Sequence, residues 1–139
     1  MPRLILSRKG FDSSNGGIPS PVIRDQFYSL PIPQKKTGIR YVDLNFEGIR
    51  TGQLLADLKA KVKNRDETHL DPDLKEDTVK TRPKNWQPVF GQHGAALKHL
   101  LNEGVGPGDL FLFFGWFRAA EQMENGSWRF LPGSPSFHA

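Results

Sequence analysis

The fold is decided by one stretch, Asp109-Leu110-Phe111-Leu112-Phe113-Phe114-Gly115-Trp116, which is the most apolar run in the chain. Because this run is apolar on both faces of an extended backbone, it predicts a central, fully buried β-strand. Asn125-Gly126, a few residues later, is typical of a tight hairpin turn. We expect this turn to pair residues near 119–123 with residues 128–131.

Two amphipathic segments precede this stretch, and each is expected to form a helix. The first begins at Thr51 as its N-cap and extends to about residue 63. Its apolar face consists of Leu54, Leu55, Leu58 and Val62. The second extends from about residue 92 to residue 103, before Gly104, which suits a left-handed C-cap. Its expected buried face consists of Ala96, Leu97, Leu100 and Leu101.

Shorter strands are predicted at residues 3–7, 26–30 and 39–44. Residues 64–87 are polar and weakly patterned, so we interpret them as a long loop with room for one helical turn, and residues 132–139 as a tail. Strands and helices do not alternate as βαβ units, which argues against a doubly wound parallel sheet. We therefore predict one α+β domain over residues 1–139, with two helices and a small, curved, mostly antiparallel sheet or partial barrel.

Composition narrows the class of protein. The 139 residues suit one domain, and the absence of cysteine excludes disulfides, thiolate metal sites and a cysteine nucleophile. The start of the chain lacks the pattern of a signal peptide, and no apolar stretch approaches the roughly 20 residues that span a bilayer. We therefore expect a cytoplasmic protein that does not bind membranes. The net charge of +4 favours polyanionic partners.

The loop after the first strand, residues 7–20, carries candidate phosphate ligands. Backbone N–H groups of glycine-rich turns bind anions, serine hydroxyls add donors, and basic side chains add charge. The chain lacks the P-loop pattern, and the alternative is an ordinary surface loop in which Asp12 and Ser13 form local turn bonds. The candidate nucleotide or phosphate ligands in this loop are Ser7, Arg8, Lys9, Ser13, Ser14, Gly16 and Gly17.

A second candidate site is the stretch His69-Leu70-Asp71-Pro72-Asp73. In an extended segment its imidazole and two carboxylates share one face, where they could hold a divalent cation or transfer protons. Alternatively, Asp71 caps a short turn that begins at Pro72. No cofactor is predicted, although His69, Asp71 and Asp73 are candidate ligands for a divalent cation.

Two further pairs of residues are candidates. Trp116 and Arg118 end the apolar stretch, where an aromatic plane could stack on a base and a guanidinium could bind phosphate. Gln92 and His93 open the second helix, where Gln92 could bind a base edge and His93 could act as a general acid or base. For each of these residues a structural role in the core or at the surface is the alternative.

Five blocks of the sequence resemble a family called nucleotide modification associated domain 3. The blocks follow the family's order and cover nearly the whole chain, and the first and last are specific. They are residues 4–21, which begin Leu4-Ile5-Leu6-Ser7-Arg8-Lys9-Gly10-Phe11-Asp12-Ser13-Ser14, then Leu30-Pro31-Ile32-Pro33, residues 69–73, Phe90-Gly91-Gln92, and residues 108–118.

The resemblance implies association with systems that modify DNA bases, chiefly in bacteria and their phages. It favours a domain that binds nucleic acid or a nucleotide. The stretch at residues 108–114 is also similar, at the level of fold, to the ending of small PUA-like barrels that hold a flipped base. A second hypothesis is an enzyme acting on a modified base or nucleotide, and a third is a protein-interaction adaptor. The catalytic candidates of the second hypothesis are Asp12, His69, Asp71 and His93.

The resemblance also carries an expectation about partners. Members of the family continue past the position of Phe137 with a further strand, whereas this sequence stops at Ala139. An incomplete sheet would leave an exposed edge, and exposed edges pair with other strands. We therefore expect a homodimer, or packing against a separate segment, through the C-terminal edge of the sheet.

Overall fold

A computed structural model describes all 139 residues and is organised around one long strand. This strand, β4, extends over Leu110–Gln122 and joins the apolar stretch to the first arm of the predicted hairpin. Gly115 lies in its middle, where a Cβ would lie 3.2 Å from the Lys9 carbonyl oxygen. The glycine therefore lets the chain after the first strand approach β4 closely.

Five shorter strands complete the sheet, and all but one of them pair with β4. They are β1 (Leu4–Arg8), β2 (Ser20–Ile23), β3 (Gln26–Phe27), β5 (Trp128–Phe130) and β6 (Ser136–His138). β1 and β2 are parallel to β4, β5 and β6 are antiparallel to it, and β3 is antiparallel to β2. Phe117 pairs with both Ser20 and Ser136, so β2 and β6 lie on opposite sides of β4.

The α+β class is confirmed, and so is the hairpin at Asn125-Gly126, which pairs Ala120 with Phe130. The sheet is mixed rather than mostly antiparallel, because its longest ladder joins β1 in parallel to β4. The long connection between these strands contains both helices and provides the crossover that parallel pairing requires. The sheet is open, so the structure does not form the PUA-like barrel that the sequence allowed. Residues 132–139, expected to be a tail, contain β6.

Two α-helices lie in the long connection, α1 (Thr51–Asp57) and α2 (Gly94–Asn102). α1 is shorter than predicted because the chain leaves it at Lys59, whose φ of 61° is left-handed. The predicted strand at 39–44 is instead a 3-10 turn over Tyr41–Asp43, and a second such turn at Glu76–Thr78 lies in the long polar loop. Neither helix is long and apolar enough to cross a bilayer.

The buried core surrounds α1 and the second half of β4, and we call this part the packed half. α1 contributes Leu54 and Leu55, and the loop after β1 contributes Phe11. The edge of the Phe11 ring packs against Tyr41, with 6.0 Å between ring centroids. The buried cluster consists of Phe11, Ile18, Ile23, Leu30, Tyr41, Leu44, Phe46, Leu54, Leu55, Leu58, Val62, Ala120 and Trp128.

The first half of β4, β1 and α2 form a second region, which we call the open half. No residue of α2 is buried, so the predicted buried face of this helix is wrong. The prediction of a fully buried β4 is also wrong, because Leu110 and Leu112 are exposed. The opposite face of β4 is covered, since Phe111 and Phe113 pack against Phe90 with 4.9 Å between ring centroids.

Candidate functional site

Four separate stretches of the sequence meet at the ammonium group of Lys9, just after β1. Its Nζ donates a hydrogen bond of 2.8 Å to Oδ2 of Asp71. The same nitrogen lies 4.7 Å from the ring centroid of Phe90 and 5.7 Å from that of Phe113. We call Lys9, Asp71, Phe90 and Phe113 the lysine cluster. Each member comes from a different block among those that carry the family resemblance.

Backbone pairing positions every member of the lysine cluster. The Lys9 N–H donates to the Phe114 carbonyl at 2.8 Å, which extends the ladder between β1 and β4 by one residue. Asp73 and Val89 exchange two backbone hydrogen bonds, at 2.9 and 2.8 Å. This bridge places Asp71, two residues before it, close to Phe90, one residue after it. The chemistry of the cluster therefore depends on two ladders that join distant parts of the chain.

The ion pair in the lysine cluster is largely shielded from water. The side chains of Lys9 and Asp71 are 14% and 20% exposed. Two charges removed from water in this way are retained only when each partner satisfies the other. The ring faces of Phe90 and Phe113 add a cation–π attraction to the ammonium. The part of the cluster that stays accessible is a hydrogen-bond donor, the Lys9 ammonium, beside an acceptor, the Asp71 carboxylate, next to two phenylalanine rings.

The loop at residues 7–20 is organised by Asp12. Its Oδ1 accepts backbone N–H bonds from Ser14 and Asn15, at 2.8 and 2.7 Å, and the Asn15 amide also donates to the carboxylate. Partial burial acts to raise the pKa of Asp12, but these hydrogen bonds and the Arg8 charge outweigh it and lower that pKa. Asp12 is thus held as a carboxylate that shapes the loop, which disfavours the acid–base role predicted for it.

Two glycines close this loop against the packed half. Gly16 has a φ of 84°, and a Cβ there would overlap the buried Phe11 ring. Gly17, with a φ of 75°, is covered by the Lys61 side chain. Gly16 therefore needs glycine for packing as well as for backbone conformation, whereas Gly17 needs it for backbone conformation.

Several predicted phosphate ligands remain available in the loop. Ser13 and Ser14 are exposed, and the Arg8 side chain is half-exposed although it lies 3.4 Å from Asp12. The backbone N–H groups of Ser14 and Asn15 are already bound to Asp12, so they are not free to bind an anion. Phosphate binding through this loop stays a prediction that depends on the Arg8 guanidinium and the two hydroxyls.

The two carboxylates of the 69–73 stretch bind different cationic side chains. Asp71 pairs with Lys9, whereas Asp73 accepts two hydrogen bonds of 2.6 Å from Arg82. The Trp86 ring lies over the Arg82 guanidinium, at 4.3 Å from its centroid. No group of three His, Cys, Asp or Glu side chains is gathered as a metal site. The divalent-cation site stays a prediction, in which the cation would compete with both ion pairs.

The remaining candidates lie at different distances from the lysine cluster. His69 precedes Asp71 by two residues, and Gln92 follows Phe90 by two, so both border the cluster along the chain. His93 is exposed at the start of α2. Ser7 belongs to β1, beside Phe113 in the ladder. None of these four side chains makes a hydrogen bond that would fix a chemical role.

Trp116 and Arg118 do not join the lysine cluster. Because side chains alternate along a strand, both project from the opposite face of β4 to Phe113. Arg118 Nε donates to the Leu131 carbonyl at 3.0 Å, and its guanidinium lies over the Phe130 ring. Arg118 therefore joins β4 to the chain after β5, which is the structural alternative that the sequence left open.

Sequence reasoning did not identify Phe90, Phe113 or Arg82 as neighbours of the candidate residues. Phe90 belonged to a recognised block and Phe113 to the apolar stretch, but their contact with Lys9 had no local signal. Arg82 lay in a loop without pattern. The sequence signal shared by Phe90 and Phe113 is that each lies in a block that resembles the family.

The fold and this cluster define a small α+β protein with an open mixed sheet and a basic, aromatic-lined site at the end of its first strand. No curated protein and no solved structure matches the chain. The sequence model of one family, nucleotide modification associated domain 3, matches residues 3–137. The chain therefore belongs to this family, whose name associates it with the modification of nucleotides.

Proposed function

We propose that this chain is a nucleotide-binding or nucleic-acid-binding domain that serves base modification. The proposal rests on one observation: the Lys9 ammonium contacts a residue from each of three other family blocks, Asp71, Phe90 and Phe113. A packing role alone would not need a lysine at this position, since an apolar side chain would avoid the cost of shielding a charge.

Two parts of the site would divide the recognition of a nucleotide. The Arg8 guanidinium and the Ser13 and Ser14 hydroxyls, all at the surface of the loop, would bind phosphate oxygens. The Lys9 ammonium and the Asp71 carboxylate lie side by side as donor and acceptor, which suits the edge of a base. The net charge of +4 would favour the approach of a polyanion.

The test is a titration with single-stranded DNA, duplex DNA and free nucleotides, read by tryptophan fluorescence at two salt concentrations. Removal of the basic pair in Arg8→Ala/Lys9→Ala should raise Kd by about tenfold or more and flatten the salt dependence for DNA. The matched control is Lys35→Ala/Lys84→Ala, which removes the same charge from exposed positions. Equal weakening by the two double variants would mean that only net charge matters, and would contradict a site at Lys9.

An enzymatic role is the second candidate, because Asp71 and His69 border the shielded lysine. Acid–base catalysis needs a proton acceptor within reach of the bound substrate, which Asp71 would provide. The same titration samples, analysed by mass spectrometry, distinguish the two roles. A nucleotide altered by the wild-type protein and unaltered by Asp71→Asn would establish chemistry, whereas unchanged ligands leave a binding domain. A folded protein that binds none of them would favour the adaptor hypothesis.

A further inference from the structure

A contiguous apolar surface extends across three strands in the open half. Leu4 pairs with Leu110 and Leu6 with Leu112, so these four side chains project from the same face of the sheet. Phe137 of β6 pairs with Trp116 and its ring packs against Phe114 on that face. We call Leu4, Leu6, Leu110, Leu112 and Phe137 the leucine face. They are 62%, 63%, 62%, 40% and 59% exposed, respectively.

The leucine face is as large as the largest apolar patch of a typical monomer, and such patches are often functional. At these exposed fractions its five side chains present on the order of 500 Å² of apolar surface, within the range that marks interaction sites. The accessible surface of the whole chain is also larger than a compact monomer of its size would have. Its accessible surface is 9469 Å², whereas a compact monomer of 15.7 kDa exposes about 7,300 Å².

We propose that a second copy of this chain covers the leucine face in an isologous dimer. The leucine face supplies about 500 Å² of the ~800 Å² that each partner buries in a stable interface, and the edge of β1 beside it would add further area. The five side chains carry no charge, and an apolar patch is complementary to itself across a two-fold axis. This face adjoins, but is not the same as, the C-terminal edge expected from the sequence.

The edge of β1 supports the same occupant. The carbonyl of Arg3 and the N–H of Lys9 bond to β4, so the alternate residues Leu4, Leu6 and Arg8 direct their backbone groups away from β4. β1 pairs with no other strand, which leaves these groups unpaired at the sheet edge. An exposed, apolar edge strand is a template for another chain. The edge and the leucine face thus present backbone and apolar partners side by side.

The dimer would leave the lysine cluster accessible. Phe113 and the side chains of the leucine face lie on opposite faces of β4, because Leu112 and Phe113 are adjacent in the strand. Association through this face would therefore leave the lysine cluster open to a ligand, whereas Arg8, which alternates with Lys9 along β1, would lie next to the interface.

The test is sedimentation equilibrium of the full chain across the micromolar range. The wild-type protein should have twice the chain mass of 15.7 kDa. Leu6→Glu/Leu110→Glu places four carboxylates in the symmetric interface, and should raise the dimer Kd by about 100-fold or more. Both leucines are exposed in the monomer, so the far-UV circular dichroism spectrum should not change. The matched control, Leu74→Glu/Val89→Glu, changes two exposed apolar residues outside this face and should remain dimeric.

Three outcomes would overturn the proposal. If the wild-type protein has the mass of a single chain over the whole concentration range, it does not self-associate and there is no dimer. Equal dissociation of the control variant would place the interface elsewhere. A leucine-face variant that remains a dimer at wild-type affinity would exclude this face, whatever the DNA and nucleotide titrations show.

Discussion

The two helices of this protein are alike in sequence and opposite in what they bury. α1 buries Leu54 and Leu55 against the core, whereas α2, with leucines at similar spacing, buries none of its residues. The same contrast separates the second half of β4, which belongs to the packed half, from its first half, where Leu110 and Leu112 face water. The comparison teaches that an apolar stripe shows which face of an element needs a cover, and does not show whether this chain supplies it.

The largest expected effect contrasts one leucine from each helix. Leu54→Ala should lower the free energy of unfolding by about 3–4 kcal/mol, since the side chain is fully buried and a cavity would replace it. Leu101→Ala, at a position 64% exposed, should change it by about 0.5 kcal/mol or less in the monomer. Urea unfolding at low protein concentration measures both. Similar losses would show that α2 is packed and that the two halves do not differ.

A smaller contrast comes from two glycines with left-handed backbones. Gly16→Ala should cost about 2–3 kcal/mol, because the new Cβ would overlap the buried Phe11 ring as well as strain the backbone. Gly108→Ala, with a φ of 96° and no atom within 4 Å of the new Cβ, should cost only the backbone strain, about 1 kcal/mol. The same unfolding assay compares them. A larger loss for Gly108→Ala would place tight packing in the open half.

The smallest expected effect concerns Asp12, and it tests whether the hydrogen bonds in the loop that follows Phe11 stabilise the packed half. The pKa of Asp12 is lowered in the folded state, so its contribution is fully present above its ordinary value of 3.8 and is lost as pH falls through the lower folded value. Asp12→Asn should therefore lose less stability than wild type as pH falls from neutral to below 3.8. Urea midpoints across that range measure it, with the exposed Asp77→Asn as control. Identical acid profiles for Asp12→Asn and wild type would contradict the role of the loop bonds.

Local sequence signals predicted the elements whose causes are local. β1 lies within one residue of its predicted bounds, and the Asn125-Gly126 hairpin forms where its turn chemistry placed it. The 39–44 prediction failed because Asp43 accepts a backbone bond from Arg40 at 2.9 Å and closes a turn. That side-chain bond outweighs the β-propensity of Ile39, Tyr41 and Val42.

The candidate site was predictable in its parts and not in its assembly. Lys9 and Asp71 were each singled out, yet nothing near either residue indicates an ion pair across 62 positions. The roles predicted for Asp12 and Arg118 stay predictions. Both side chains have the charge that ligand binding needs, and both also bond to nearby backbone groups, Asp12 to the N–H groups of Ser14 and Asn15 and Arg118 to the Leu131 carbonyl.

The parallel ladder between β1 and β4 also governs the order in which the chain can fold. Arg3 and Asp109, at the start of this ladder, are 106 residues apart, so the chain closes a very long loop before β1 gains its partner. Such non-local pairing slows folding and prolongs the exposure of unpaired strands. During synthesis the N-terminal strand leaves the ribosome long before its partner exists. The segment Leu4-Ile5-Leu6 is therefore an apolar part of the nascent chain that a chaperone would have to shield until β4 is made.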